Sequence, residues 1–276
     1  MSTSRDHSQR LRVALFVEGS RERCDATDPL ETLWRRELRA LLGLRDFDRV
    51  VGIAKRHLVS MDVENLRLKN RTSALCDPLD ALMKRELDLK PFDAAIVCWD
   101  LQPPWDRETS TCRWSEVKQL YRGLAASKAL PRSWTAFAAV RSAELESRAR
   151  ASSRSGPPRL APGVTLAVWM DPMFEGMLVD ETGVRLALGL RGRDVPNWPT
   201  GWTRNGLKDP DKLLARAVAA ARALRPRPAV FKRIRVPFNQ AKHEWAGLLL
   251  REGGPRIRTR VEQDRTGLRL QELLME

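Results

Sequence analysis

The chain has 276 residues, of which 42% are hydrophobic and 30% charged, a composition typical of a globular protein. No run of about 18 apolar residues occurs, which argues against a membrane-spanning helix. The polar start over residues 1–10 is unlike a secretory signal, so we expect a cytoplasmic protein. The formal net charge of +14 favours polyanions as partners, although many arginine-rich proteins bind no nucleic acid.

The cysteines and histidines argue against a zinc site or a histidine-based active site. Four cysteines are spread over residues 24–112 without a CxxC pair, and the chain holds only three histidines. Free thiols are therefore expected.

Four apolar runs are predicted as strands, over residues 13–17, 50–54, 92–99 and 164–169. Between and after them, helical spacing predicts helices over 28–43, 77–87, 114–129, 131–150, 171 to a break near Gly183, 209–224, 240–251 and 267–275. Asp-Pro pairs begin four of these helices, since Asp is a good N-cap and Pro suits the first helical position. Residues 152–163 and 191–210 are predicted as irregular segments.

The alternation of helices with uniformly apolar strands predicts an α/β fold. Strands that are apolar throughout are typical of a parallel sheet covered by helices on both faces. We expect an α/β domain over 1–190 and a helix-rich portion over 191–276 that packs on it.

Acidic residues follow three of the predicted strands: Glu18, Asp100, and Asp171 with Glu175. Ligands of such sheets gather at the carboxyl ends of the strands. Acids that meet there repel one another unless a cation or basic groups neutralise them. Carboxylate oxygens suit Mg2+ or Mn2+, so a metal site is one interpretation.

Each of these acids except Asp100 also has a simpler explanation. Glu18 with Gly19 is compatible with an ordinary turn, and Asp171 with the N-cap of a helix that starts at Pro172. Glu175 lies one helical turn after Asp171 and is compatible with a solvated carboxylate. Asp100 directly follows the buried run "IVCW", where a charged group without a partner is costly.

Several segments carry a resemblance to a known family. "VALFVEGSRE" resembles the opening of Toprim-like domains, where Glu-Gly follows the first strand, and "AAIVCWD" resembles the strand that ends in their Asp-x-Asp motif. "VTLAVWMDPMFEGMLVDETGVRLALGL", "LKDPDKLL" and "GGPRIRTRVEQDRTGLRLQEL" are similar to later segments of a bacterial Toprim-like family. That family is related to RloB-type proteins and to overcoming-lysogenisation-defect nucleases, and is often encoded beside AAA or SMC-like ATPases.

The resemblance implies a Toprim-like sheet and Mg2+-dependent phosphodiester chemistry. It implies that Glu18 is a metal ligand or general acid/base, that Asp100 is the first acid of Asp-x-Asp, and that Glu175 is the acid of the third segment. Gln102 stands where the family has its second Asp and brings no charge, and Asp106 is a possible substitute.

Two sets of basic residues alternate with other residues, and on strands the members of each set would share a face. The sets are Lys232, Arg233 and Arg235, and Arg256, Arg258 and Arg260. They predict contact with the phosphate backbone of DNA or RNA, and a solvated surface is the alternative. Trp198 and Trp202 are the candidates for stacking on bases.

Three hypotheses follow. The first is a Mg2+-dependent nuclease of DNA or RNA, an anti-phage defence effector that works with an ATPase partner. The second is a catalytically weakened nucleic-acid-binding or regulatory subunit, suggested by Gln102. The third is a scaffold whose acids only cap helices, in which case Glu18, Asp100 and Glu175 would lie far apart.

Overall fold

The computed structural model describes residues 10–18, 29–53, 57, 78–100, 114–146, 159–170, 174–190, 198, 210–264, 270–272 and 274. Within these ranges the side chains of Asp100, Trp114, Ser115, Glu116, Trp169 and Met170 are not described.

The centre of the fold is a four-stranded, fully parallel sheet. Its strands are β1 (Val13–Glu18), β2 (Arg49–Ile53), β3 (Ala94–Asp100) and β4 (Thr165–Met170). Their order across the sheet is β2-β1-β3-β4. All four predicted strands are confirmed, with ends that differ by one or two residues.

Side chains alternate between two buried cores on the two faces of the sheet. On β1, Leu15 and Val17 belong to the first core, and Ala14 and Phe16 belong to the second. These four side chains are at most 2% exposed. Burial on both faces explains why the strand reads as a continuous apolar run, and it confirms an α/β fold with a doubly covered sheet.

Helices cover both faces. A continuous helix, α1, comprises Pro29–Thr32, a π-helical Leu33–Leu38 and Arg39–Leu42. The helices that follow are α2 (Leu79–Leu89), α3 (Trp114–Ala126), α4 (Arg132–Glu146), α5 (Glu181–Ala187), α6 (Pro210–Ala223), α7 (Val230–Arg233), α8 (Lys242–Glu252) and α9 (Gly254–Gln263). Residues 270–272 and 274 are also helical. Residues of α2, α3 and α4 line the second core, and those of α1, α5, α6, α8 and α9 line the first.

The C-terminal helices share the first core with the sheet. Leu214 of α6 and Trp245 of α8 belong to the same buried cluster as Leu15 of β1. The described helices from residue 210 onwards therefore complete the buried core on one face of the sheet. Among the described helices, none combines the length and the apolar character that crossing a bilayer requires.

Gly43 ends α1 as predicted, and the helix break predicted near Gly183 lies before this glycine, at residues 179–180. Gly43 has a φ of 63°, a left-handed conformation that glycine adopts without strain. Gly183 instead lies inside α5, whose N-cap Asp180 accepts a hydrogen bond of 2.8 Å from the Gly183 amide. The break separates this helix from a 3-10 helix at Phe174–Leu178.

The interpretation of the two basic sets as strands is also wrong. Lys232 and Arg233 end the short helix α7, and Arg235 follows it in an irregular segment. Arg256, Arg258 and Arg260 all lie on α9. On a helix, residues four apart share a face and residues two apart do not, so Arg258 faces away from Arg256 and Arg260.

Cys98 is a free thiol, buried on β3. Burial raises the pKa of this thiol. Cys24, Cys76 and Cys112 lie outside the described residues.

A buried tyrosine completes the hydrogen bonds of the edge strand β4. The Tyr121 hydroxyl of α3 donates to the Thr165 carbonyl oxygen at 3.1 Å and accepts from the Ala167 amide at 3.0 Å.

Tyr121→Phe leaves both backbone groups buried without this partner, so we expect a loss of about 2 kcal/mol in the free energy of unfolding. Urea denaturation measures it. Thr135→Val, which removes an exposed hydroxyl bond to the Arg132 carbonyl, is the control and should cost less than about 0.5 kcal/mol. Equal losses for both variants would contradict the assignment.

Candidate functional site

The carboxyl ends of β1 and β3 bring two predicted site residues to the same edge of the sheet. These strands are adjacent and parallel, and Val17 pairs with Cys98, so Glu18 and Asp100 both end their strands just beyond this pair. Asp100 lies opposite Met170, where β4 ends. The Glu18 side chain is partly buried. Asp171, Gln102 and Asp106 lie outside the described residues.

Glu175 has a basic partner. It belongs to the 3-10 helix after β4, is 7% exposed, and its Oε1 lies 3.2 Å from Lys242 Nζ at the start of α8. The same ammonium lies 3.4 Å from Asp211 Oδ2 at the start of α6. Lys242 therefore links the segment after β4 to two C-terminal helices.

The environment of Lys242 favours its charged form. Burial disfavours the ammonium, but the Coulomb attraction and hydrogen bonds of Glu175 and Asp211 outweigh it and raise the pKa of Lys242. This lysine accordingly stays charged at neutral pH and neutralises Glu175. The ion pair with Lys242 thus explains why Glu175 is buried. The sequence does not indicate this pair, because Lys242 lies 67 positions away in the chain.

Lys242→Met tests the ion pair. The substitution leaves the Glu175 carboxylate buried without its cation, and we expect a loss of about 2 kcal/mol in the free energy of unfolding. This value is below the cost of breaking a fully buried pair, because the Lys242 side chain is 39% exposed and water screens it. Adding Glu175→Gln removes the stranded charge and should recover part of the loss.

The matched control is Lys84→Met on α2. The side chain of Lys84 is 42% exposed, similar to that of Lys242, but the side chain of its partner Asp88 is 62% exposed whereas that of Glu175 is 9% exposed. We expect this control to cost less than about 0.5 kcal/mol. If thermal or urea denaturation gave the same loss for both lysines, burial of Glu175 would not be the cause.

The described part of the chain contains no group of three or more His, Cys, Asp or Glu residues that could hold a metal ion. Glu18 and the end of β3 share one edge of the sheet, and Glu175 is bound to Lys242. The arrangement can offer carboxylate oxygens at the strand ends and an ammonium beside the third acid.

The predicted basic residues of α9 lie in clefts that also contain acids. Arg256 and Arg260 line a cleft of about 730 Å³ with Asp180 and Asp264, and Arg260 donates to the Gly176 carbonyl oxygen at 3.1 Å. Arg258 lines another cleft, of about 320 Å³, with Glu37 and Glu262. These arginines therefore do not form one continuous basic face.

Three further arginines were missed by the sequence interpretation: Arg222, Arg225 and Arg227. Arg225 and Arg227 line a cleft of about 410 Å³ with Pro228, Phe231 and Lys232, and none of its lining residues is acidic. The signal in the sequence is the absence of acids rather than a motif, since residues 212–243 contain no Asp or Glu.

The two tryptophans predicted to stack on bases have different outcomes. Trp198 is partly buried and packs against the first core. Trp202 lies outside the described residues.

The fold and the strand-end acids define the class of the protein: an α/β protein with a parallel, doubly covered sheet and acids at the carboxyl ends of adjacent strands. No protein-family model, curated protein or solved structure matches the chain.

Proposed function

We propose that the protein is a Mg2+-dependent, Toprim-like nuclease that hydrolyses phosphodiester bonds of DNA or RNA. The observation that carries this proposal is the position of Glu18 and Asp100, which end adjacent parallel strands at one edge of the sheet. In open α/β sheets this edge is where ligands bind. The net charge of +14 supports a polyanionic substrate.

The residues at this edge have the right chemistry for Mg2+ or Mn2+. Carboxylate oxygens are the preferred ligands of both ions, and Mg2+ is commonly held by one or two carboxylates. Glu18 and Asp100 would hold the ion, with Asp171 as a further candidate. When bound, such an ion orients a phosphodiester and activates a water. Glu175, which the sequence also predicts as a site residue, lies on the 3-10 helix after β4 and is neutralised by Lys242.

The resemblance of the sequence to Toprim-like proteins encoded beside AAA or SMC-like ATPases extends the proposal to a partner. In this proposal the protein is an anti-phage defence effector whose cleavage is controlled by such an ATPase. Cleavage by the isolated protein would then be slow, and the ATPase would change its rate.

A second candidate function is a nucleic-acid-binding or regulatory subunit without turnover. Two observations favour it: Gln102 in place of the second Asp of Asp-x-Asp, and the Lys242 ammonium bound to Glu175. Each lowers the negative charge available to a second metal ion. This subunit would bind nucleic acid equally well with and without Mg2+.

A nuclease assay separates the two. Labelled duplex DNA, single-stranded DNA and tRNA are incubated with the protein, with and without the product of the neighbouring gene, in Mg2+, in Mn2+ or in EDTA. The nuclease proposal predicts cleavage of at least one substrate with a metal and none in EDTA. Binding without cleavage under every condition would contradict it and favour the regulatory subunit.

A further inference from the structure

Residues 212–243 form the longest described part of the chain with basic but no acidic side chains. The segment begins inside α6 and ends at the start of α8. It contains nine lysines and arginines: Lys212, Arg216, Arg222, Arg225, Arg227, Lys232, Arg233, Arg235 and Lys242. Such a density of one sign of charge raises the local potential well above the average for the protein.

Seven of these nine residues are exposed, and we call four of them, Arg225, Arg227, Lys232 and Arg235, the 225–235 surface. Within the described residues, no carboxylate lies within ion-pair distance of any of the four. Their neighbour Arg233 differs, since it pairs with Glu252 at 3.0 Å. The charge of the 225–235 surface is therefore not neutralised by the described part of the protein.

The backbone that carries these cations is fixed to the core. The Phe231 ring packs on the Trp245 ring with 5.7 Å between centroids, and both side chains are buried. Trp245 Nε1 donates to the Val236 carbonyl oxygen at 3.2 Å, and the Arg222 guanidinium donates to the Arg235 carbonyl oxygen. The backbone that carries the cations is thus held in place, and Arg225 is further oriented by its hydrogen bonds to the Ala223 and Leu224 carbonyl oxygens, which reduces the entropy that binding must remove.

The chemistry of this surface fits the phosphate backbone of a nucleic acid better than a protein partner. Guanidinium groups hold phosphate oxygens through paired, charge-assisted hydrogen bonds. Protein interfaces instead centre on exposed aromatic or aliphatic anchors with few charges. Here Phe231 is only 5% exposed, and the cleft above it is rimmed by Arg225, Arg227 and Lys232.

We infer that the 225–235 surface is the main site at which the protein binds the sugar-phosphate backbone of DNA or RNA, independently of base sequence. This inference rests on the proposed function, because it takes nucleic acid as the ligand. It also assigns the arginines of α9 a smaller part in nucleic-acid binding than the sequence pattern predicts. The α9 arginines share their clefts with carboxylates, which repel phosphate, whereas the 225–235 surface does not.

Fluorescence anisotropy measurements of nucleic-acid binding test the inference. The ligands are a labelled 20-nucleotide RNA, the corresponding single-stranded DNA and the corresponding duplex, and the buffer contains EDTA so that cleavage plays no part. The triple variant Arg225→Gln/Arg227→Gln/Lys232→Gln should bind at least about tenfold more weakly at about 100 mM salt. A plot of the logarithm of the association constant against the logarithm of the salt concentration should also become less steep by about 2 to 3, because each lost phosphate contact removes about 0.7 to 0.9 from the magnitude of the slope.

A control with the same loss of charge is Lys128→Gln/Arg132→Gln/Arg159→Gln, three exposed residues outside the 212–243 segment. Its salt slope should change by less than about 1 if binding is local rather than a response to net charge. The inference is overturned if both triple variants weaken binding equally, or if Arg256→Gln/Arg258→Gln lowers the slope more than the first triple variant. Binding of polyglutamate but of no nucleic acid would assign the surface to an acidic protein, and would likewise overturn it.

These outcomes are independent of turnover. A protein that binds through the 225–235 surface in EDTA but never cleaves retains this inference and loses the nuclease proposal. A protein that cleaves with Mg2+ but binds equally well after the triple substitution retains the nuclease proposal and loses this inference.

Discussion

Glu18→Gln and Asp100→Asn are each expected to slow metal-dependent cleavage at least about a hundredfold. Substitution of residues that merely orient metal ligands typically costs about 10- to 100-fold in affinity or activity, so loss of a ligand itself should cost at least the upper value. Both residues end adjacent strands, and both substitutions are nearly isosteric. Single-turnover cleavage of the best substrate in Mg2+ gives the rate constants.

The control is Asp88→Asn, which also neutralises one carboxylate, on the exposed face of α2. It should leave the cleavage rate within about twofold of the wild type. Binding to uncleaved substrate in EDTA should be kept by all three variants. Cleavage that survives Glu18→Gln and Asp100→Asn together would contradict the role of the strand-end acids.

Gly183→Ala is expected to have the largest effect on stability, a loss of about 3 kcal/mol in the free energy of unfolding. A Cβ at this position would overlap Cγ1 of Ile257, and it would lie 2.9 Å from Ile257 Cδ1 and 3.1 Å from the Gly253 carbonyl oxygen. Helices α5 and α9 therefore approach so closely that only a hydrogen fits. The higher helix propensity of alanine, about 1 kcal/mol, is too small to offset this overlap.

The double variant Gly183→Ala/Ile257→Ala identifies the cause. With Ile257 already shortened, the alanine at 183 keeps only the tight 3.1 Å contact with the Gly253 carbonyl oxygen, so adding it should cost less than about 1 kcal/mol. Urea denaturation of the wild type, both single variants and the double variant gives the coupling energy. Additive losses would show that the contact with Ile257 does not explain the glycine.

The sheet and most helices could be predicted from local signals. Strand β3 is apolar because both of its faces are buried, and this produces a run that can be recognised without knowing its neighbours. The starts and ends of helices carry local chemistry too, as at Pro29 and at Gly43 with its positive φ. Such features depend on residues close together in the chain.

The errors arose where distant residues decide the structure. Gly183 looks like a helix break, yet it is required by contact with Ile257, which lies 74 positions later. The alternation of Arg256, Arg258 and Arg260 is typical of a strand, but they lie on helix α9, whose Ile257 and Val261 are buried in a core formed with residues far away in the chain.

The candidate site was predictable in part for the same reason. Acids that follow apolar strands can be read from the sequence, and the parallel register brings the ends of β1 and β3 together as predicted. The partner of Glu175 depends on how α8 packs, which no local pattern indicates. For the 225–235 surface the sequence shows only that residues 212–243 contain no acid, whereas the lack of carboxylates from other described elements around it depends on packing.

The most direct test of the proposed site is Mn2+ binding, measured by electron paramagnetic resonance of free Mn2+ during titration of the metal-free protein. The account predicts that the wild type and Asp88→Asn bind Mn2+, that Mg2+ displaces it, and that Glu18→Gln/Asp100→Asn abolishes binding without unfolding the protein. Undiminished Mn2+ binding by the double variant, or no binding by the wild type, would contradict a metal site at the carboxyl ends of β1 and β3.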